Sequence, residues 1–213
     1  MPLFKFLEPY WADQMTGAGA VRIGTLYDFR RIESLGAERG DKDEGVRISL
    51  TDGKAGLVAG ESLPWFVREA LRIPPGIKIH FEEGAVLKVH QNSPDMYVYC
   101  VCSKFDKSVM DRFGGACVEI VDPERYFAPI TRALDGWTAE GIRKISGFRF
   151  AACQYVPREQ TWPKVVAYDP AFRKPPEYSH QCEVRAVWTT PAAPITPVNL
   201  SVPDILAWCR RIA

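Results

Sequence analysis

One ten-residue stretch limits what this chain can fold into: Met96-Tyr97-Val98-Tyr99-Cys100-Val101-Cys102-Ser103-Lys104-Phe105. From Met96 to Cys102 it is apolar at odd and even positions alike. Side chains alternate across a strand, so both faces of such a strand are apolar and both must be covered. The stretch therefore reads as the central strand of a sheet with layers packed above and below it. Polarity changes at Ser103, which ends the strand. A hydroxyl at that position either orients a neighbouring carboxylate or ligand, or closes the strand by bonding local backbone.

Further strands are expected at 2–7, 20–26, 46–50, 116–121, 147–155 and 164–168, with 77–81 and 85–89 paired as a hairpin around Glu82-Glu83-Gly84. Short helices are expected from Glu8 to Met15, ending at Gly17 or Gly19, and at 63–71 with Pro64 at its start. Two more follow, at 107–113 behind the cap Asp106, and from Asp122-Pro123 to Leu134. A terminal helix over 205–212 would present Ile205, Leu206, Trp208, Cys209 and Ile212, with Arg210 and Arg211 suiting the dipole of its last turn. Strands dominate and no repeat is present. The expectation is an α+β fold, a mixed and mostly antiparallel sheet flanked by short helices. The 213 residues are 46% hydrophobic, enough for one domain over 1–213, with 46–95 as an inserted or variable subregion.

Chemistry concentrates late in the chain. A Pro-stiffened stretch, Lys174 to Gln181, feeds a strand from Cys182 to Trp188. Cys182, Val184, Ala186 and Trp188 take one face; Glu183, Arg185 and Val187 take the other. A strand holds a carboxylate rigidly, as acid–base or cation-stabilising chemistry requires. The plainer reading is an exposed Glu and Arg on the solvated face of an edge strand. Gly24, inside the strand 20–26, points to a bulge or to close approach by backbone or ligand. Residues 27–45 form a long charged loop of the functional kind, anchored by Phe29 and Ile32. Its acids Asp41, Asp43 and Glu44 lack the full calcium-loop pattern and read as a solvated turn.

The six cysteines are scattered, with no CxxC pair and no histidine at ligand spacing. They read as reduced, mostly buried thiols of a cytoplasmic protein, with no metal site. The N-terminus carries no signal-peptide pattern, and no apolar run is long enough to cross a bilayer. A net charge of +1 without a basic run argues against general affinity for nucleic acid or membrane surfaces.

Three segments together resemble a bacterial and phage family known as a domain of unknown function. They are Gly24 to Glu33, Tyr99 to Ile120, and Lys174 to Arg185. That family has an early Asn-Asp-Pro-x-Glu-like segment and a central Cys-x-Ser strand followed by a Met-Trp helix and a Gly-x-Cys strand. Its late strand reads Lys-x-x-x-Tyr-x-x-Glu-x-Glu-x-Arg. Here Phe29 follows Asp28 in place of Pro, Asp111 replaces the Trp, and Gln181 replaces the first Glu. More remotely the layout resembles ADP-ribosyltransferases. That resemblance implies a split sheet, NAD as the bound cofactor, Glu183 as the catalytic carboxylate and Ser103 as the group that orients the site. It places Lys5, Arg22, Gly24, Tyr27, Arg30 and Tyr178 around the cofactor, with Tyr27, Phe29 and Tyr178 available to stack the nicotinamide. Breaking the nicotinamide–ribose bond builds positive charge on the ribose, which a fixed carboxylate stabilises. The acceptor would be a protein or a nucleic acid. Two rival readings stand beside it: a non-catalytic protein-binding module of the phage or mobile-element type, using the 27–45 and Trp162-Pro163 loops, and a nucleoside- or nucleic-acid-directed glycosidase using the same carboxylate.

Overall fold

The computed structural model describes residues 1–30, 41–51, 54–63, 65–137, 145–161, 169–191 and 194–213. The expected strand 164–168, the Trp162-Pro163 loop and the anchor Ile32 lie outside them. In chain order the elements begin with β1 (Leu3–Leu7), α1 (Pro9–Ala18), β2 (Ala20–Thr25), β3 (Val46–Leu50), β4 (Gly56–Ala59) and α2 (Trp65–Ala70). The middle holds β5 (Lys78–Phe81), β6 (Lys88–Asn92), β7 (Tyr97–Cys102), α3 (Lys107–Arg112), β8 (Ala116–Ile120) and α4 (Pro123–Trp137). The last third holds β9 (Gly147–Ala152), β10 (Gln154–Tyr155), β11 (Glu159–Thr161), β12 (Arg173–Lys174), β13 (Glu183–Thr189), β14 (Val198–Ser201) and β15 (Cys209–Arg211). The fold is α+β, and its main sheet of eight strands is antiparallel throughout.

β7 is the centre of that sheet, as its two apolar faces require. Tyr97, Tyr99 and Val101 join Val184, Ala186 and Trp188 of β13 on one face, packed under α1 and α4 in the largest core cluster. Val98 and Cys100 face the other way, with Leu26, Phe172 and Val187. Along one edge β7 is paired over its whole length with β13, from Tyr97↔Trp188 to Cys102↔Glu183. β13 in turn pairs with β9.

The other edge of β7 is shared, and this decides the shape of the site. β1 is in register with β7 only at Phe4↔Cys102, then turns away to pair with β8 along its full length. β2 is in register only at Gly24↔Val98 and Thr25↔Tyr97, and pairs before that with β14. Neither strand is in register with Tyr99, Cys100 or Val101. β8 takes one edge of β1 along its length and β14 one edge of the first part of β2, and both strands follow those partners away from β7. The sheet therefore forks at β7.

Residues 46–95 supply most of two smaller sheets, β4–β5 and β11–β3–β6, and a separate core of Leu63, Val67 and Val89. The expected hairpin over 77–89 does not form. β5 pairs with β4 and β6 with β3, because each finds its hydrogen-bonding edge taken by a strand from earlier in the chain. The expected terminal helix is also corrected. Residues 203–208 form 3-10 turns, and Cys209–Arg211 becomes β15, antiparallel to β8 at Cys209↔Ile120. The open edge of β8 offers more backbone hydrogen bonds than a last helical turn would, and Arg210 adds an ion pair to Glu119 at 2.7 Å.

α1 ends at Gly19, whose φ of 66° is left-handed. A Cβ there would lie 2.4 Å from the Val202 carbonyl oxygen, whereas at Gly17 it would meet nothing within 4 Å. Gly19→Ala is expected to destabilise the protein by about 2 kcal/mol or more, from backbone strain plus collision. Gly17→Ala is expected to be neutral or to stabilise by up to about 1 kcal/mol through helix propensity. Urea denaturation of both variants beside the parent checks this; equal effects at the two positions would contradict the assignment of the cap.

Candidate functional site

The polar face of β13 is not solvated. Glu183 is 5% and Arg185 1% exposed, because β13 is an interior strand between β7 and β9 rather than an edge. The alternation read from the sequence holds, but the strand starts at Glu183. Cys182 sits just before it with φ 44°, a left-handed conformation rare for a residue with a side chain.

A buried carboxylate and a buried guanidinium must each be paired. Arg185 donates from Nε to Glu183 Oε1 at 2.5 Å, from Nη1 to Glu44 Oε1 at 2.8 Å, and from Nη2 to Glu44 Oε2 at 3.1 Å. A further Nη1 bond reaches the Ala171 carbonyl at 2.6 Å. Glu183 Oε2 is paired with Lys174 Nζ at 2.6 Å, and Lys174 also donates to Gln181 Oε1 at 2.8 Å. Burial alone would raise the pKa of Glu183; the adjacent Arg185 and Lys174 cations outweigh it and hold the carboxyl far below the usual range. Burial would lower that of Lys174, but Glu183 and then Glu44 raise it above its ordinary value.

This network forms one wall of a cavity of about 250 Å³ that opens at the fork. Tyr99, Cys100 and Val101 line it where the edge of β7 away from β13 lacks a strand partner, with Lys5 from β1, Arg22 and Gly24 from β2, and Trp11 and Met15 from α1. Lys5 enters from the α1 side, its Nζ 4.4 Å from the Tyr99 ring centroid, and donates to the Cys100 carbonyl at 2.8 Å. Arg22 enters from the Glu183 side and pairs with Asp28 at 2.7 Å. Phe29 also lines the cavity, and a Cβ on Gly24 would approach its ring at 3.2 Å, so glycine makes room for that ring. The two thiols on the wall are poor nucleophiles. Burial and then Glu183 push Cys100 well up and Cys102 up to about 12, so both stay protonated at neutral pH.

Of the residues singled out in the sequence, the cavity brings together Glu183, Lys5, Arg22, Gly24 and Phe29. Ser103 stands behind the wall. Its backbone N–H and its hydroxyl both donate to the Cys182 carbonyl, at 2.9 and 3.1 Å, pinning the left-handed residue before Glu183. Tyr178 lies under Lys174, with Nζ 4.8 Å from its ring centroid. Tyr27 and Arg30 are outside the cavity: the Arg30 guanidinium covers the Tyr27 ring at 3.9 Å, and Nε donates to the Glu44 carbonyl at 2.8 Å. Glu44, Lys174, Gln181 and Trp11 line the cavity without having been assigned to it from sequence. Lys174 and Gln181 fall inside the late motif and could have been found there. Glu44 could not, because its acidic neighbourhood reads as a solvated turn. That reading is overturned: Asp41 and Glu44 are buried, Asp41 paired with Arg158 and Glu44 with Arg185. Among the described residues no cluster of His, Cys, Asp or Glu could hold a metal ion, and no helix is long and apolar enough to cross a membrane.

The pH limits of the network follow from the two shifts. Glu183 is depressed below its ordinary 4.5, so its contribution is complete above that pH and is lost as the pH falls through the lower folded value. Lys174 is raised above its ordinary 10.5, so its contribution is complete below that pH and is lost as the pH rises through the higher folded value. Lys174→Met is expected to cost about 3–5 kcal/mol at neutral pH, because it removes one partner of a buried pair. The gap from the parent should shrink in acid below 4.5, as Glu183 takes up a proton. Denaturant unfolding across that range tests this, and a gap independent of pH would show that the pairing is not ionic.

A scan against protein-family models finds no match, and searches of the curated proteins and of the solved structures find no similar protein.

Proposed function

We propose that the fork cavity binds the nicotinamide–ribose end of NAD and that Glu183 assists cleavage of the bond between them, as an ADP-ribosyltransferase or an NAD glycohydrolase does. The observation that carries this reading is the convergence of Glu183, Lys5, Arg22 and Gly24, from three different strands, on one cavity. The electrostatics favour charge stabilisation over proton donation. A carboxyl held this far below its usual range is ionised at any physiological pH, so it cannot serve as a general acid. It can oppose positive charge developing on a ribose. Each of its oxygens accepts one hydrogen bond from a cation here, which leaves lone pairs for a sugar hydroxyl. Phe29 and Trp11 supply aromatic faces for the nicotinamide, and Arg22, half exposed beside the opening, supplies a cation for the phosphates. At about 250 Å³ the cavity falls just below the usual range of about 300–1,000 Å³ for small-molecule sites. It suits one ring-and-sugar half of the dinucleotide, with the remainder outside.

Calorimetry with NAD and an assay of nicotinamide release test the proposal together. The parent protein is expected to bind NAD and release nicotinamide. Glu183→Gln should bind but release it about 10²–10³-fold more slowly, the usual loss when one electrostatic group is removed. Arg22→Lys, which keeps a cation beside the buried Asp28 but loses the guanidinium fork, should fold normally and weaken binding by about tenfold. An absence of NAD binding at roughly millimolar concentration, the weak end of specific affinity, would overturn the reading and favour a protein-binding module.

A further inference from the structure

Among the described residues the main sheet ends in three strands, and their outer edges are not alike. β14 has four residues and exposes Asn199 and Ser201; β15 has three and exposes Arg210 and Arg211. β9 has six, pairs with β13 alone among the described residues, and exposes Phe148 at 43% and Phe150 at 41%. Sheet edges are normally kept from pairing by shortness, charge or proline. β14 and β15 are short, and β15 is charged as well. The single charge of β9, Arg149, is tied to Asp169, and Ala151 and Ala152 beyond it are exposed.

One bond fixes which backbone groups of β9 point outward. The Cys153 N–H donates to the Glu183 carbonyl at 2.8 Å, and alternate residues of an antiparallel strand turn their N–H and C=O to the same side. Arg149 and Ala151 therefore bond to β13, and Phe148, Phe150 and Ala152 turn theirs away from it. The side chains of these three share the face of Trp188, Ala186 and Val184, which lie opposite them on β13. The Phe148 ring stands 5.4 Å from that of Trp188, and the Phe150 ring 5.3 Å from that of Phe127. The core thus seats each ring on its inner side and leaves the outer side open. Beside them a groove of about 720 Å³ runs between α4 and β9, lined also by Phe127, Ala128 and Thr131.

We propose that β9 is the interface of a two-fold dimer, in which the β9 strands of two copies of this chain pair antiparallel about an axis at Phe150 and join their main sheets into one. The strand is complementary to itself in this register. The outward groups of Phe148, Phe150 and Ala152 meet those of Ala152, Phe150 and Phe148 of the second copy, each pair exchanging both hydrogen bonds. The large Phe148 ring faces the small Ala152 side chain, Phe150 faces its own copy, and Arg149 faces Ala151. An axis at Arg149 would set two guanidinium groups directly opposite each other. An axis at Ala151 would place Phe148 opposite Gln154, where β9 has ended. At a net charge of +1 two copies repel each other little. The aromatic rings of the second copy stand on the α4 face of the continued sheet, beside the groove, and cover the open sides of Phe148 and Phe150. No residue of β9 lines the fork cavity, so the dimer leaves that cavity free and does not depend on the NAD reading.

Analytical ultracentrifugation across a concentration series tests it. A strand and two rings a side make a small interface of the weak class, so the parent is expected to dimerise with a Kd on the order of 10 μM. Phe150→Lys sets two ammonium groups opposite each other at the axis and should weaken dimerisation at least about tenfold. Phe150 is 41% exposed, so this variant should fold, with its Tm within about 5 °C of the parent's. The register is tested separately in mild oxidant, with the parent and its own free thiols as the control. Phe150→Cys should give a disulfide-linked dimer, because directly opposite residues lie about 5.5 Å apart, within reach of that bond. Phe148→Cys should not, because its two copies stand about 14 Å apart along the paired strands. If Phe150→Lys fails to fold, the two cysteine variants decide the matter. A parent that stays monomeric to roughly 1 mM would overturn the dimer, whether or not the edge takes a strand from another protein. Unchanged dimerisation of Phe150→Lys, a cross-link at Phe148→Cys, or none at Phe150→Cys would overturn it as well.

Discussion

Arg185 carries a full charge at 1% exposure, and the rest of the site is arranged to meet it. Its partners come from separate parts of the chain: Glu183 on its own strand, Glu44 from the end of the first long loop, and the Ala171 carbonyl from the turn before β12. Through Glu183 the contact extends to Lys174 and Gln181. Two acids and two bases balance one another, so the network buries little net charge. Its net stabilisation is modest, because desolvation offsets most of the Coulombic gain. Its effect is steeper against alternatives: any arrangement that strips one partner leaves a bare charge in the interior. The loop, β12 and β13 are thereby held to one mutual placement, and the Glu183 carboxylate to one orientation.

The fork gives that carboxylate something to face. Had β1 or β2 paired with β7 along its length, Tyr99, Cys100 and Val101 would be closed off by backbone. Instead β1 is drawn toward β8 and β2 toward β14, and Lys5 bonds the Cys100 carbonyl that lies in the gap. The cavity is thus the geometric remainder of two strands that diverge toward different partners. Ser103 acts one layer back. By tying down the Cys182 carbonyl it holds the left-handed residue from which β13 begins.

Much of the framework was legible locally. β7 announces itself by two apolar faces, α1 by a glycine stop left open between Gly17 and Gly19, and α3 by Asp106, whose side chain accepts from Ser108 and Val109 as expected of a cap. The alternation of Glu183 and Arg185 was legible too. The failures are those of partner choice. Residues 77–89 have hairpin spacing, yet their strands pair with β4 and β3; Cys209–Arg211 fits a helical pattern, yet extends the edge of β8. Neither outcome is encoded within the segment itself, because an open sheet edge is a property of distant residues.

By itself the sequence determined the α+β class, the central position of β7, and the common face of Glu183 and Arg185, since each follows from side-chain periodicity within a few residues. Tertiary structure decided that this face is interior, that Glu44 and Lys174 neutralise it, and that Lys5 and Arg22 reach the same cavity from opposite sides of the sheet. The physical reason is the range of the forces involved. Periodicity and capping act over one or two turns of chain. The pairing of buried charges and the competition for strand edges act between segments up to 141 residues apart, as Glu44 and Arg185 are.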